Sequence, residues 1–180
     1  MNMDDYGKVL KAAHFAAEKH RDQRRKDKAQ TPYINHPIAV AETLRLFDMD
    51  DVDVLSAAIL HDVLEDTDAS PGEIAEGFGM GVLALVKEMT DDKSLPKQTR
   101  KDLQIENAHM LSEGAKLIKL ADKICNLQDM VKSPPEGWPM SRCLQYVDWC
   151  DAVVENMGRV HAGLESRFEA VSEEARKAFG

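Results

Sequence analysis

His61-Asp62-Val63-Leu64-Glu65-Asp66 closes the apolar run Val54-Leu55-Ser56-Ala57-Ala58-Ile59-Leu60. On a helical wheel at about 100° per residue, His61, Asp62, Glu65 and Asp66 share one arc of about 140°. Leu60, Val63 and Leu64 fill the opposite arc, where they can face a core. The stretch therefore reads as the end of a buried helix with its chemistry on one side. Adjacent His and Asp can chelate one metal from neighbouring positions. The two carboxylates of the next turn need not bind it, and are free to activate a water or protonate a leaving group. A solvated helix end also collects acids. Four such groups stacked on one face of an apolar helix favour the chemical reading.

Working outward, nearly every segment reads as helix, and the expected fold class is all-α. Asp5 to about Lys28 is amphipathic through Val9, Leu10, Ala13, Ala16 and Ala17. Thr31 to Asn35 is a loop, because Pro32 and Pro37 restrict the residues before them. Pro37 suits the first turn of a helix reaching about Phe47, with His36 at its mouth. The helix holding the quoted stretch starts near Asp51 or Asp53 and ends around Glu65. Ser70-Pro71-Gly72-Glu73 has the form of a capping box with Pro in the first turn. Gly77 to Gly81 breaks that short helix, and Val82 to Met89 begins another. Asp91 to Pro96 is a loop, followed by helices at about Lys97 to Leu111 and Ala115 to Val131. Ser133-Pro134-Pro135-Glu136-Gly137 is the clearest break, and one long helix from about Met140 to Arg167 follows. The residues beyond Pro135 are too few for a core of their own, so residues 1–180 read as a single domain.

A hydrophobic content of 43% with 31% charged residues describes an ordinary globular chain. No apolar run approaches the ~20 residues of a membrane span, and Met1 to Leu10 carries acids where a secretory signal needs an apolar stretch. The three cysteines, Cys125, Cys143 and Cys150, form no CxxC pair and read as reduced thiols of a cytoplasmic protein. A net charge of −9 argues against nucleic acid as a partner. It also makes the basic cluster His20 to Lys28 stand out. Alone, that cluster reads as cations offsetting the dipole of a helix C-terminus.

A metal held only by His61 and Asp62 would bind weakly, so further ligands are expected. His36 is one candidate, although a hydrogen bond at the helix start serves it equally well. Asp122 is another. In Lys116 to Leu127 the core stripe is Leu117, Leu120, Ile124 and Leu127, while Asp122 and Asn126 share another face at i and i+4. A surface acid is an equal reading for Asp122. Two His and two Asp would leave room for water or substrate on a hard or borderline ion such as Mn²⁺.

The order His, then His-Asp, then a distant Asp resembles the HD-domain metal phosphohydrolases. The His61-Asp62-x-x-Glu65-Asp66 form more specifically resembles the alarmone-hydrolase domain of the RelA/SpoT proteins. The likeness extends through Arg24-Arg25-Lys26, Thr31 to Pro37, Thr90-Asp91-Asp92-Lys93 and Leu120 to Leu127. Pro135-Glu136-Gly137-Trp138 and Tyr146 are similar to the stand-alone small hydrolases of the metazoan SpoT-homologue type. No synthetase or regulatory region is recognisable.

The resemblance implies a helical bundle with a metal site in its centre, where His36, His61, Asp62 and Asp122 bind Mn²⁺. It implies that Glu65 and Asp66 act on water or the leaving oxygen. Arg25 and Lys26 would meet guanine and phosphates with Arg24 behind them, and Asn126 and Tyr146 would line the nucleoside pocket. Lys97, Arg100 and Arg142 would be phosphate contacts. The implied reaction takes (p)ppGpp to GDP or GTP plus pyrophosphate in the cytoplasm, with a small nucleotide as the only partner, no membrane, and the oligomeric state open. The same machinery would also suit ppApp, or the 2′-phosphate of NADPH. A dNTP phosphohydrolase of the wider superfamily fits less well with Glu65-Asp66 and Tyr33 to Pro37. A silent alarmone-binding module would be favoured by a lost ligand or lost carboxylate pair, and none is lost.

Overall fold

The computed structural model describes residues 3–180, so Met1 and Asn2 of the segment Met1 to Leu10 lie outside it. Among the described residues ten α-helices follow one another: α1 (Met3–Lys19), α2 (Asn35–Leu46), α3 (Val52–Leu60), α4 (Val63–Asp66), α5 (Pro71–Phe78), α6 (Met80–Met89), α7 (Lys97–Asn107), α8 (Glu113–Lys132), α9 (Met140–Met157) and α10 (Ala162–Phe179). A 3₁₀ turn at Ala108–Met110 follows α7, and the described residues contain two isolated β-bridges. No described helix is long and apolar enough to cross a membrane.

Two helices are apolar on too many sides to lie at the surface. In α3 every residue from Val54 to Leu60 is buried, and in α8 the run Leu117 to Cys125 is buried without a break. A helix hydrophobic all round must be surrounded. Accordingly α8 packs against α2, α3, α6, α9 and α10, while α3 packs against α1, α2, α6 and α8. The outer helices carry the narrower stripe of a one-sided helix. In α10, Leu164, Phe168, Val171, Ala175 and Phe179 are the buried apolar positions, spaced three or four apart.

Three boundaries differ from the sequence expectation, each for a physical reason. The first helix stops at Lys19, not near Lys28. Beyond it the backbone bonds across a loop: Arg25 N–H donates to Thr31 O (2.8 Å), Tyr33 N–H to Gln23 O (3.1 Å), and Glu136 N–H to Lys26 O (2.8 Å). The basic cluster therefore lies on a loop, where it cannot offset a helix dipole. The helix expected to run through Glu65 is interrupted at His61 and Asp62, which form a turn between α3 and α4. The long helix expected from Met140 to Arg167 is two helices. Gly158 ends α9 in the left-handed region (φ +70°), and His161 caps α10 by accepting from Leu164 N–H (3.2 Å).

The Ser70 capping box forms as expected. Ser70 Oγ accepts from Glu73 N–H (3.3 Å) and the Glu73 carboxylate accepts from Ser70 N–H (2.8 Å). Lys19 at the end of α1 lies 3.0 Å from the same carboxylate. The Ser70 N–H, Lys19 and the Ser70 hydroxyl together pull the Glu73 carboxyl from 4.5 to about 2. A depressed carboxyl pKa stabilises the folded state above the unfolded value. That contribution should vanish as pH falls from 4.5 toward 2. Glu73→Gln should therefore lower the melting temperature clearly at pH 6 and by much less at pH 2.5. An equal loss at both would remove the ionised capping box as the cause.

Candidate metal centre and active site

The site forms where α2, the α3–α4 turn and α8 meet. His36 lies in the first turn of α2, where Pro37 presets the backbone. His61 and Asp62 occupy the break between α3 and α4, and Asp122 lies in the middle of buried α8. His36, His61 and Asp122 are all buried. One ligand atom from each of His36, His61 and Asp62 lies within 4.8 Å of the others. Asp122 joins them: its Oδ1 is 3.1 Å from His36 Nε2 and 3.8 Å from His61 Nε2. The four residues expected to hold a metal thus converge.

The donor set fits a divalent cation. His61 Nδ1 lies 2.7 Å from the Ala58 carbonyl, which can only accept, so that nitrogen carries the proton. In the neutral ring Nε2 is then a bare lone pair, 3.0 Å from Asp62 Oδ2 and without a hydrogen-bond partner. A lone pair aimed at carboxylate oxygens is repulsive unless positive charge lies between them. A backbone carbonyl on the far nitrogen is also the usual orientation of a metal-binding imidazole. The electrostatics agree. Burial alone would lower the His61 pKa, yet Asp62 and Asp122 raise it to about 9. Burial alone would raise both carboxyls, yet His61 holds Asp62, and Lys123 with His36 holds Asp122, well below the usual carboxylate range. The cluster is built to hold positive charge.

These groups line a polar cavity of about 190 Å³, together with Tyr33, Glu65, Asp66, Asp91, Gln104 and Lys119. Although α3 and α4 are not one continuous helix, Glu65 and Asp66 face the same cavity as His61 and Asp62. Glu65 accepts from Asp91 N–H (3.1 Å) and from Arg100 Nη1 (3.3 Å). Burial, opposed by the Asp91 N–H, and the charges of Asp91, Asp62 and Asp66 raise its proton affinity. Asp66 is held by Gln23 Nε2 (2.9 Å) and by Lys93. Tyr33 donates to Asp62, and burial beside that carboxylate keeps it a phenol.

A wider groove of about 540 Å³ adjoins the cavity and shares Tyr33, His36, Asp66 and Asn126 with it. Arg24, Arg25, Lys26, Trp138 and Tyr146 line the groove. Arg25 donates to Asn126 Oδ1 (2.9 Å) and Asp129 Oδ2 (3.0 Å), while Asn126 donates to Asp122 Oδ1 (2.6 Å). One chain of hydrogen bonds thus joins the groove to the candidate metal ligand. Lys97 and Arg142 line neither cavity. Lys97 is exposed at the start of α7; desolvation and the neighbouring Lys26, Arg142 and Arg100 lower its pKa, which puts those cations together near the groove. Arg142 stacks over Trp138 at 4.1 Å.

The sequence reading did not single out Tyr33, Gln23, Lys119 or Lys123, and Arg100, expected at phosphate, donates instead to Glu65. Tyr33 stood inside a quoted motif without a role. Lys119 and Lys123 are 5% and 3% exposed, whereas lysines on a helix ordinarily read as solvated. Lys123 ion-pairs with Asp122 (3.1 Å) and lies 4.2 Å above the Trp149 ring.

The HD domain family matches residues 12–145. The chain belongs to the HD-domain family. Within that family it is similar to the guanosine-3′,5′-bis(diphosphate) 3′-pyrophosphohydrolase MESH1 of Homo sapiens, 51% identical over 158 residues that cover 87% of this chain and 88% of that one. It is likewise 50% identical to the MESH1 of Drosophila melanogaster over 165 residues, 91% of this chain and 92% of that one. A solved structure of a metazoan SpoT orthologue, described as hydrolysing ppGpp and acting in starvation responses, superposes with a TM-score of 0.90 at 49% identity, covering 93% of this chain and 94% of that one. In this chain His36, His61, Asp62, Asp122, Glu65 and Asp66 line one cavity.

Proposed function

We propose that this chain is a guanosine-3′,5′-bis(diphosphate) 3′-pyrophosphohydrolase, turning (p)ppGpp and water into GDP or GTP and pyrophosphate. The observation that carries the reading is the junction of the two cavities. A narrow polar chamber holding the His–Asp cluster and Glu65-Asp66 opens on a groove of nucleotide size lined by Arg25, Lys26 and Tyr146. The matched relatives support the same substrate. We assign Mn²⁺ to His36, His61, Asp62 and Asp122; when bound, a divalent ion lowers the pKa of water and screens the substrate's charge. The three buried free cysteines suit the reducing cytoplasm, and residues 1–180 act as one domain.

The chain's own groups divide the work. Water attacks the phosphorus next to the ribose, the bond to the 3′ oxygen breaks, and that oxygen ends protonated. Glu65, with its raised proton affinity, takes or returns the proton. Asp66, held from both oxygens, orients the water. Arg25 and Lys26 meet phosphate and guanine, since a planar guanidinium can both stack and chelate. Arg24 stands behind them, Asn126 and Tyr146 line the nucleoside, and Lys97 and Arg142 meet the outer phosphates.

Incubating the Mn²⁺-loaded protein separately with ppGpp, ppApp and NADPH, with anion-exchange separation of products, tests this reading. Pyrophosphate and GDP from ppGpp are expected; phosphate from NADPH alone would overturn it. Arg25→Ala with Lys26→Ala should raise KM, or lower kcat/KM, at least tenfold, equivalent to about 1.4 kcal/mol. Added salt should weaken wild-type capture in the same direction. Unchanged kinetics with a lower melting temperature would leave the pair a structural role only.

A further inference from the structure

We propose that His20 and Gln23 are positioning residues, a two-link brace that fixes the carboxylate of Asp66 for the reaction; this rests on the hydrolase reading above. Neither residue belongs to the His–Asp cluster.

The brace follows from which atoms can donate. Gln23 Nε2 lies 2.9 Å from Asp66 Oδ2, and Gln23 Oε1 lies 2.6 Å from His20 Nδ1. A carboxylate only accepts, so the amide must turn its nitrogen toward Asp66. Its oxygen then faces His20, so His20 Nδ1 must carry the proton. One arrangement satisfies the chain and the amide cannot flip. The other oxygen of Asp66 is held by Lys93, a flexible and exposed side chain. Lys93 alone would leave the carboxylate free to rotate; a second donor on Oδ2 fixes its plane.

A purely structural role for His20 explains less. The ring is 2% exposed and packs at a tilt against Tyr33, 4.9 Å between centroids, a packing task that phenylalanine would perform. His20 Nε2 is buried with no hydrogen-bond partner, a cost that an apolar ring would avoid. What phenylalanine cannot do is donate to Gln23. The placement adds a consequence. Gln23 immediately precedes Arg24, Arg25 and Lys26, and its carbonyl accepts from Tyr33 N–H (3.1 Å), while Tyr33 donates to Asp62. The loop that receives the substrate thus holds one carboxylate from the candidate metal cluster and one from the catalytic pair.

The test compares Gln23→Leu, His20→Phe and His20→Asn with the wild type. Asparagine presents an amide N–H where the Nδ1–H stands; phenylalanine fills the space without it. Gln23→Leu and His20→Phe should lower kcat about 10–100-fold, as loss of a supporting hydrogen bond around a metal centre does, with metal content and KM little changed. His20→Asn should recover most of that loss. Wild-type kcat in Gln23→Leu, or equal losses in His20→Asn and His20→Phe, would overturn the brace. If His20→Phe does not fold, as judged by its circular dichroism, Gln23→Leu decides. A substrate-free arm separates this from the hydrolase reading: the Gln23 side-chain amide signals should shift in Asp66→Asn and in His20→Asn. Unmoved signals overturn the brace. A wild type inert toward ppGpp, ppApp and NADPH overturns the hydrolase reading, and the amide signals then decide whether the brace exists.

Discussion

Asp122→Ala is expected to strip the divalent metal from the protein and to lower turnover by at least about 10³-fold, the size of several kcal/mol of lost charge stabilisation. Asp122 is the residue on which the most contacts of the site converge. Its Oδ1 lies 3.1 Å from His36 Nε2 and accepts from Asn126 (2.6 Å), while its Oδ2 pairs with Lys123 (3.1 Å). Removing it leaves three candidate ligands and no counter-charge for a buried ammonium. Breaking a buried pair from one side costs about 3–5 kcal/mol, so the variant should also melt earlier. Asp122→Asn separates the two effects, because the amide oxygen can still accept from Asn126 or Lys123 while the ligand charge is gone. Both variants should lose metal by elemental analysis, and Asp122→Asn should keep more stability. Full metal content in either would show that Asp122 is no ligand.

What could be read from the chain alone separates by range. The Ser70–Glu73 capping box was legible because its hydrogen bonds span three residues. His61-Asp62 with Glu65-Asp66 was legible for a similar reason: one short stretch carries all four. The end of α1 was not. No glycine or proline interrupts Glu18 to Ala29, and the helix is stopped by pairing with Thr31, Tyr33 and Glu136, the last more than a hundred residues away. Gly158 does not announce a break, because a helix tolerates an interior glycine at a cost of about 1 kcal/mol and nothing local distinguishes that case from a left-handed terminator. Lys119 and Lys123 were hidden more deeply. Their burial comes from α2, α3, α6, α9 and α10 closing around α8, which no periodicity within α8 reports. The role of Gln23 needed the distance to Asp66, 43 residues on.

Glu65→Gln is expected to keep the metal and lose at least about 10²-fold in kcat, the scale of a lost general acid–base group. The two carboxylates of α4 are held differently, and that difference selects this variant. Asp66 faces two side-chain donors, Gln23 and Lys93, which suit an acceptor that orients the water. Glu65 lies deeper, and burial together with Asp91, Asp62 and Asp66 raises its affinity for a proton despite the Asp91 N–H on Oε2. A carboxyl whose pKa has moved toward neutrality can pass a proton in both directions during one turnover. Glutamine keeps the volume and can still accept from the Asp91 N–H, but it cannot carry that proton. It also points an amide donor toward Arg100, so a small drop in melting temperature should accompany the change. The separation from Asp122→Ala is the decisive part: metal retained with kcat lost for Glu65→Gln, metal and kcat lost together for Asp122→Ala. If Glu65→Gln also loses its metal, Glu65 is part of the coordination sphere, and the proton must be carried by Asp66 or by water alone.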